Sequence, residues 1–305
     1  MHTETWALVT FTILAQTSVG SFIALGVAHY FAVRKSGIEQ ADKLSDRALL
    51  PIGGLLVLGM IASLLHLGQP MYAYRAILNF GNSWLSREIG FGVMFAATGA
   101  AFAFLQWRKL STANVRNAVA VLAAFVGCAL VFSMSQVYMT AEAQEGWTTV
   151  ATPISFFATT VLLGTLALAV AFMINYWIIQ RREGPECQAQ QCDLLRGAIK
   201  WLAVTAIVVL GVELVVSSLQ SAYVVSIEDH ANLDFLGEYG VLFGVRLALA
   251  FVGAGIFGLF MYQASQRPGR EKLMAAFAFS AFAFILVAEV LGRVLFYATE
   301  IHIGL

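Results

Sequence analysis

Charge is what this sequence has least of. Asp, Glu, Lys and Arg together make 12% of its 305 residues, where soluble domains carry about a quarter. Positive and negative charges cancel at neutral pH, which removes the bulk electrostatic pull toward nucleic acid. Cysteine is nearly absent. Three thiols (Cys128, Cys187 and Cys192) fall short of the four that a cubane iron–sulfur cluster takes. Cys187 and Cys192 share one polar connection and read as reduced loop thiols rather than half of a metal site. Histidine numbers five. His29 and His66 fall near opposite membrane faces, about 20–30 Å apart along the normal, and His2, His230 and His302 lie outside or at the edge. No two match in depth as haem ligands, so the expectation is no haem and no metal on this chain. Lys and Arg are missing before the first apolar run, so a cleaved signal peptide is not expected and the first span should remain.

What is abundant is hydrocarbon. Hydrophobic residues make 59% of the chain, in blocks of about 20 or more, the length a helix needs to cross a bilayer. The expected fold is an all-α integral membrane protein with eight transmembrane helices, at Trp6–Ala32, Leu49–Leu67, Glu88–Trp107, Val115–Tyr138, Pro153–Ile179, Ile199–Tyr223, Tyr239–Tyr262 and Leu273–Tyr297. The connections are short, so one polytopic domain spans residues 1–305. Spans 3 and 7 both open on Glu-x-Gly, at Glu88-Ile89-Gly90 and Glu238-Tyr239-Gly240. That thin echo fits two four-helix bundles, with halves 1–150 and 151–305.

The few charges set the orientation. The connections after spans 1, 3, 5 and 7 hold fourteen of the eighteen basic residues. The alternate connections hold only Arg75 and Arg87, and Arg246 and Arg293 lie within spans. The positive-inside rule makes the first set cytoplasmic. Both termini, the 66–88 connection and the acidic 226–238 connection then face the outer, periplasmic side.

An ionisable group inside a bilayer costs about 2.5–3.5 kcal/mol on insertion scales. His29, Glu213, Arg246, Glu289 and Arg293 sit inside spans, with His66 and Glu88 at span ends. All but His29 collect in the outer half. His66 closes span 2 before Gly68 and Pro70. A histidine there suits a hydrogen bond to a quinol hydroxyl and proton transfer, and equally suits snorkelling to the headgroups. Glu88 lies in the first turn of span 3, where the helix dipole favours it after a Ser86 cap; its alternative role is proton acceptor. Residues Met71–Phe80 read as a short interfacial helix. Arg75 and Arg87 serve as site groups or as lipid-phosphate anchors, with Trp84 beside them. Glu289 and Arg293 are spaced i, i+4 and pair on one helix face. Arg246 should pair with a carboxylate such as Glu213 or Glu289. The 66–88 segment therefore reads as the rim of a quinol pocket.

Five short motifs occur in order along the chain: His66-Leu67-Gly68-x-Pro70-Met71, Leu85-Ser86-x-Glu88-Ile89, Thr152-Pro153-x-x-Phe156-Phe157, Tyr239-Gly240 with Arg246, and Glu289-x-x-Gly292-Arg293-x-x-Phe296-Tyr297. With them the chain resembles, end to end, the DmsC family, the membrane anchor subunits of dimethyl sulfoxide reductase, distant relatives of the polysulfide-reductase-type anchors. The resemblance implies an anchor that oxidises menaquinol in a bacterial inner membrane. It implies an iron–sulfur electron-transfer subunit and a molybdenum catalytic subunit as partners. His66 matches the family's quinol-site histidine and Glu88 its acidic partner. Three other readings stay open: an anchor for a sister reductase of another S- or N-oxide or oxyanion, a secondary transporter, and a purely structural tether. Limited proteolysis of oriented vesicles should cut the 66–88 connection from the outer side; cleavage from the cytoplasmic side would reverse the orientation.

Overall fold

In hydrocarbon every backbone N–H and C=O must find a partner within the protein, and a helix satisfies them locally. The computed structural model describes residues 3–65, 78–141, 145–183, 189–231 and 235–298. The helices among them are α1 (Thr3–Ser36), α2 (Ile38–Ser45), α3 (Leu49–Leu65), α4 (Trp84–Trp107), α5 (Ala113–Met139), α6 (Ala151–Glu183), α7 (Ala189–Ala231), α8 (Phe235–Ala250), α9 (Gly258–Ser265) and α10 (Glu271–Ala298). A π-helical segment, Phe251–Phe257, joins α8 to α9. Eight helical runs among the described residues are long and apolar enough to cross a membrane, the number expected from hydropathy.

Several local features depart from the sequence reading. The first basic connection is not a loop: it folds as α2 and a 3₁₀ turn at Asp46–Ala48. Span 6 is the middle of a 43-residue helix, because polar flanking residues propagate a helix as readily as apolar ones. Span 7 carries the π-helical segment. A Cβ on Gly253 would lie 3.0 Å from the Ile285 and Phe284 side chains, so this segment packs against α10 through a bare backbone. Cys192 corrects the reduced-thiol reading: it lies on α7 and is disulfide-bonded. Cys187 lies outside the described residues, as do residues 71–77 of the segment expected as an interfacial helix; its last three residues, Leu78–Phe80, form a turn. The two Glu-x-Gly glutamates sit differently, Glu88 buried and Glu238 exposed.

α1 and α6 are the most enclosed spans, with 72% and 67% of their most apolar stretches buried, against 17% for the run through α8 and α9. Helix α1 packs on α3 and α6; α4 packs on α5; α10 packs on α6, α8 and α9. Without a hydrophobic drive between spans, close packing and polar contacts hold helices together, and small residues permit them. Gly20 and Gly164 supply this at the α1–α6 crossing. A Cβ on Gly20 would overlap the Thr160 carbonyl oxygen, and one on Gly164 would overlap the Gly20 backbone. Ser21 Oγ donates to the Gly164 carbonyl at 3.1 Å, and Gln16 Nε2 to the Phe156 carbonyl at 2.8 Å.

At the basic end, α2 is tied down by ions. Lys109 Nζ reaches Asp42 at 2.6 Å and Asp46 at 2.8 Å, and Gln106 Nε2 donates to the same two carboxylates. Lys109 itself has φ +50°, so the tight turn between α4 and α5 aims its amine back across the end of the bundle. His29 meets Ser45 Oγ at 2.9 Å and lies 3.7 Å from Asp42, which makes it part of this clamp.

Gly164→Leu should prevent assembly or destabilise the protein by about 3 kcal/mol or more through overpacking. Gly26→Leu, whose Cβ meets nothing within 4 Å, should leave it within about 1 kcal/mol of wild type. Thermal unfolding of detergent-solubilised protein reads both; equal effects would refute the glycine contact.

Candidate functional site

The start of α4 is set by Ser83, whose side chain accepts from the Ser86 amide at 3.4 Å. The expected Ser86 cap is thereby corrected. Ser86 lies in the first helical turn and is itself buried, because the chain enters the helix three residues earlier than apolarity indicated. Two residues on, Glu88 is 7% exposed and accepts no hydrogen bond from the described residues. Phe80 folds over the same helix, where its ring occupies the space that a side chain at Gly90 would need. Trp84 and Arg87 brace this turn. The Arg87 guanidinium lies 4.2 Å from the Trp84 ring centre and donates to the carbonyls of Phe80 at 3.0 Å and Gly81 at 2.6 Å. His66 and Arg75 lie outside the described residues.

Behind Glu88 runs a polar seam that apolar periodicity did not reveal. The Tyr138 and Tyr297 hydroxyls hydrogen-bond at 2.7 Å, joining α5 to α10. Glu88 and Arg293 both lie within electrostatic reach of this pair. Trp147 stacks on Phe296 with its ring centre 5.3 Å away and donates Nε1–H to the Phe296 carbonyl at 2.8 Å, fixing the last turn of α10 beside the tyrosines.

Arg293 is 5% exposed. Its guanidinium donates to Gln16 Oε1 at 2.8 Å and lies 3.7 Å from the Phe156 ring centre. Glu289, 3% exposed, accepts from Thr159 Oγ1 at 2.7 Å. The expected Glu289–Arg293 pair is therefore not closed as an ion pair: each group is drawn off α10 to a partner on a different helix. Arg246 does find a carboxylate. It donates to Glu213 Oε1 at 2.5 Å and to Ser217 Oγ at 3.0 Å. Gly292 makes the room, since a Cβ there would stand 2.5 Å from Arg246 Nε. The second Glu213 oxygen is buried and has no partner among the described residues.

The structure thus brings Arg246, Glu289 and Arg293 together, with Glu213 as the fourth charge. Gln16, Tyr138, Thr159, Ser217 and Tyr297 were missed as site residues. Tyr297 closes one of the five motifs, and Gln16 interrupts the apolar run Ile13-Leu14-Ala15, but neither spacing tells which helix it meets. A cavity of about 70 Å³ opens among α6, α7, α8 and α10, lined in part by Thr159, Gln220, Arg246, Glu289 and Arg293. Its size and lining suit a few water molecules. With the seam, it gathers hydroxyls, carboxylates and guanidiniums at one end of the bundle, groups that can take part in proton transfer. Among the described residues no group of three His, Cys, Asp or Glu stands together as metal ligands.

Comparison with known proteins places these residues in context. The family model for the DMSO reductase anchor subunit (DmsC) matches residues 1–299. The sequence is similar to that of an anaerobic dimethyl sulfoxide reductase chain of Escherichia coli strain K12, at 29% identity over 98% of this chain and 96% of that protein. It is similar to the chain of the same description in Haemophilus influenzae, at 27% identity over 98% and 95%. A shorter stretch is 34% identical to a sulfite dehydrogenase subunit of Allochromatium vinosum, over 29% of this chain and 27% of that one.

Removing one partner of a buried ion pair strands the other, at a cost of about 3–5 kcal/mol. Arg246→Met should destabilise the protein by that amount, and the double variant Arg246→Met with Glu213→Gln should recover much of it. A double-mutant cycle by thermal unfolding measures the coupling. Additive losses would mean that the pair does not act as one.

Proposed function

Because the chain belongs to the family of DMSO reductase anchor subunits (DmsC), we propose that it is the quinol-oxidising membrane anchor of a DMSO-reductase-type molybdoenzyme. Menaquinol is the proposed substrate, and a bacterial inner membrane the proposed setting. An iron–sulfur subunit takes the electrons and a molybdenum subunit spends them on the terminal acceptor. The observation that carries the proposal is Glu88. It is a buried carboxylate without a hydrogen-bond donor among the described residues, at the mouth of a seam of hydroxyls and charges.

In this reading the quinol head group enters beside the start of α4 and hydrogen-bonds to His66. Glu88 accepts a proton as the quinol is oxidised. Arg75 and Ser86 help to orient the head group, while Trp84 and Arg87 hold the turn that presents Glu88. Tyr138 and Tyr297, hydrogen-bonded to each other, stand within electrostatic reach of both Glu88 and Arg293, and the deeper Arg293, Glu289, Arg246 and Glu213 assist proton loss. Oxidising a quinol releases two protons and two electrons. The protons leave toward the outer side, where the positive-inside rule puts this end of the bundle and both termini. The electrons leave through the same face to the docked iron–sulfur subunit, so the anchor itself conserves little energy. The two-bundle division into halves 1–150 and 151–305 belongs to the same proposal.

A second reading is favoured by one finding, the local similarity to a sulfite dehydrogenase subunit. A dehydrogenase takes electrons from its substrate, so in that reading the same site reduces a quinone, which takes up two electrons and two protons.

His66→Leu and Glu88→Gln should each lower oxidation of a naphthoquinol analogue by the whole complex about 100-fold or more. Reduction of the acceptor by a dye that feeds the catalytic subunit directly should persist. Undiminished quinol oxidation in both variants would remove the site from this end of the bundle.

A further inference from the structure

At the end of the bundle opposite Glu88, a groove runs between α1, α6 and α7. Its volume is about 370 Å³, within the range of small-molecule sites. Its walls are almost wholly apolar, with Val27, Phe31, Val161 and Leu202 among them. Val27 and Phe31 are more than half exposed although they lie within a span, so the groove opens sideways, toward the hydrocarbon. Trp201 stands at its edge, 66% exposed, as aromatic side chains do at the boundary of hydrocarbon and headgroups.

Beyond Trp201 the groove opens into a second, polar basin that shares Lys35, Asp193, Gly197 and Trp201 with it and adds Arg196 and Lys200. Three cations and one carboxylate meet there. Asp193 is taken up by Arg196, which also lies 3.9 Å from Glu271. Lys35 and Lys200 make no ion pair with the described residues, and Lys200 has only the Tyr262 ring, 5.7 Å from its amine. The site therefore offers unneutralised positive charge directly above an apolar slot.

We propose that this groove binds one anionic glycerophospholipid, with an acyl chain between α1, α6 and α7 and the phosphate between Lys35 and Lys200. The charge fixes the occupant. A zwitterionic lipid brings its own cation into the basin, and a quinone brings no anion at all. Basic pockets between spans on the cytoplasmic side recognise anionic headgroups in this way.

The test uses the whole purified complex, delipidated in mild detergent and titrated with dioleoyl phosphatidylglycerol, dioleoyl phosphatidylcholine or a naphthoquinone analogue. Native mass spectrometry counts the bound molecules, and size exclusion confirms intact assembly. Phosphatidylglycerol should be retained at about one per anchor and the other two weakly. Lys35→Gln with Lys200→Gln should lower its affinity roughly tenfold or more, while Lys35→Arg with Lys200→Arg keeps it. Gly197→Leu should block the groove; a Cβ at Gly197 meets nothing within 4 Å, so the helix itself tolerates the change. Equal retention of phosphatidylcholine or the quinone overturns the proposal. So does loss of binding in only one of the two arms, or in neither.

Discussion

One guanidinium, that of Arg293, holds the centre of this protein together. A full charge in the low-dielectric interior is tolerated only where donors, acceptors and ring faces are already in place. Gln16 brings the acceptor from α1, Phe156 brings the ring from α6, and α10 brings the charge itself. Three helices far apart in sequence are thus fixed around one group. The same helices supply most of what surrounds it: Gln16 turns its amide nitrogen to the Phe156 carbonyl, and Thr159, one turn beyond Phe156, satisfies Glu289. Removing the charge would free several polar atoms at once, because each has its partner chosen by the others.

Glycine makes this arrangement possible at two places, and for different reasons. At Gly20 and Gly164 the absent side chains let two backbones touch, bringing α1 close enough for Gln16 to reach across. At Gly292 the absent side chain leaves a berth for Arg246, a group from another helix. The first glycines set the distance between elements. The second sets where a charge rests, and so keeps the Arg246–Glu213 pair beside Glu289 and Arg293 instead of at the lipid boundary.

Much of this was legible in the sequence. Eight spans follow from length and hydropathy alone, because hydrocarbon thickness fixes helix length. The buried charges also declared themselves, since Glu213, Arg246, Glu289 and Arg293 stand out in an apolar background. Their pairing did not. Glu289 and Arg293 have the spacing of a partnered couple, yet each prefers a group on a neighbouring helix, and helical spacing carries no information about neighbours. Ser86 shows the same limit at smaller scale: apolarity marks where hydrocarbon begins, whereas the helix begins where Ser83 can satisfy its first amides. Tyr138 and Gln16 were invisible for the opposite reason. Tyrosine and glutamine are unremarkable in a span until a partner gives them a purpose.

Helix α7 has a mechanical consequence. At 1.5 Å per residue its 43 residues form a rod of about 65 Å, twice the thickness of the hydrocarbon. The thirteen-residue step from Lys200 to Glu213 puts these groups about 20 Å apart on that one stiff body. Such a rod is held by its packing against neighbouring helices, so the element that carries Lys200 also fixes where Glu213 stands against Arg246 on α8. One stiff body thus joins the two ends of the bundle.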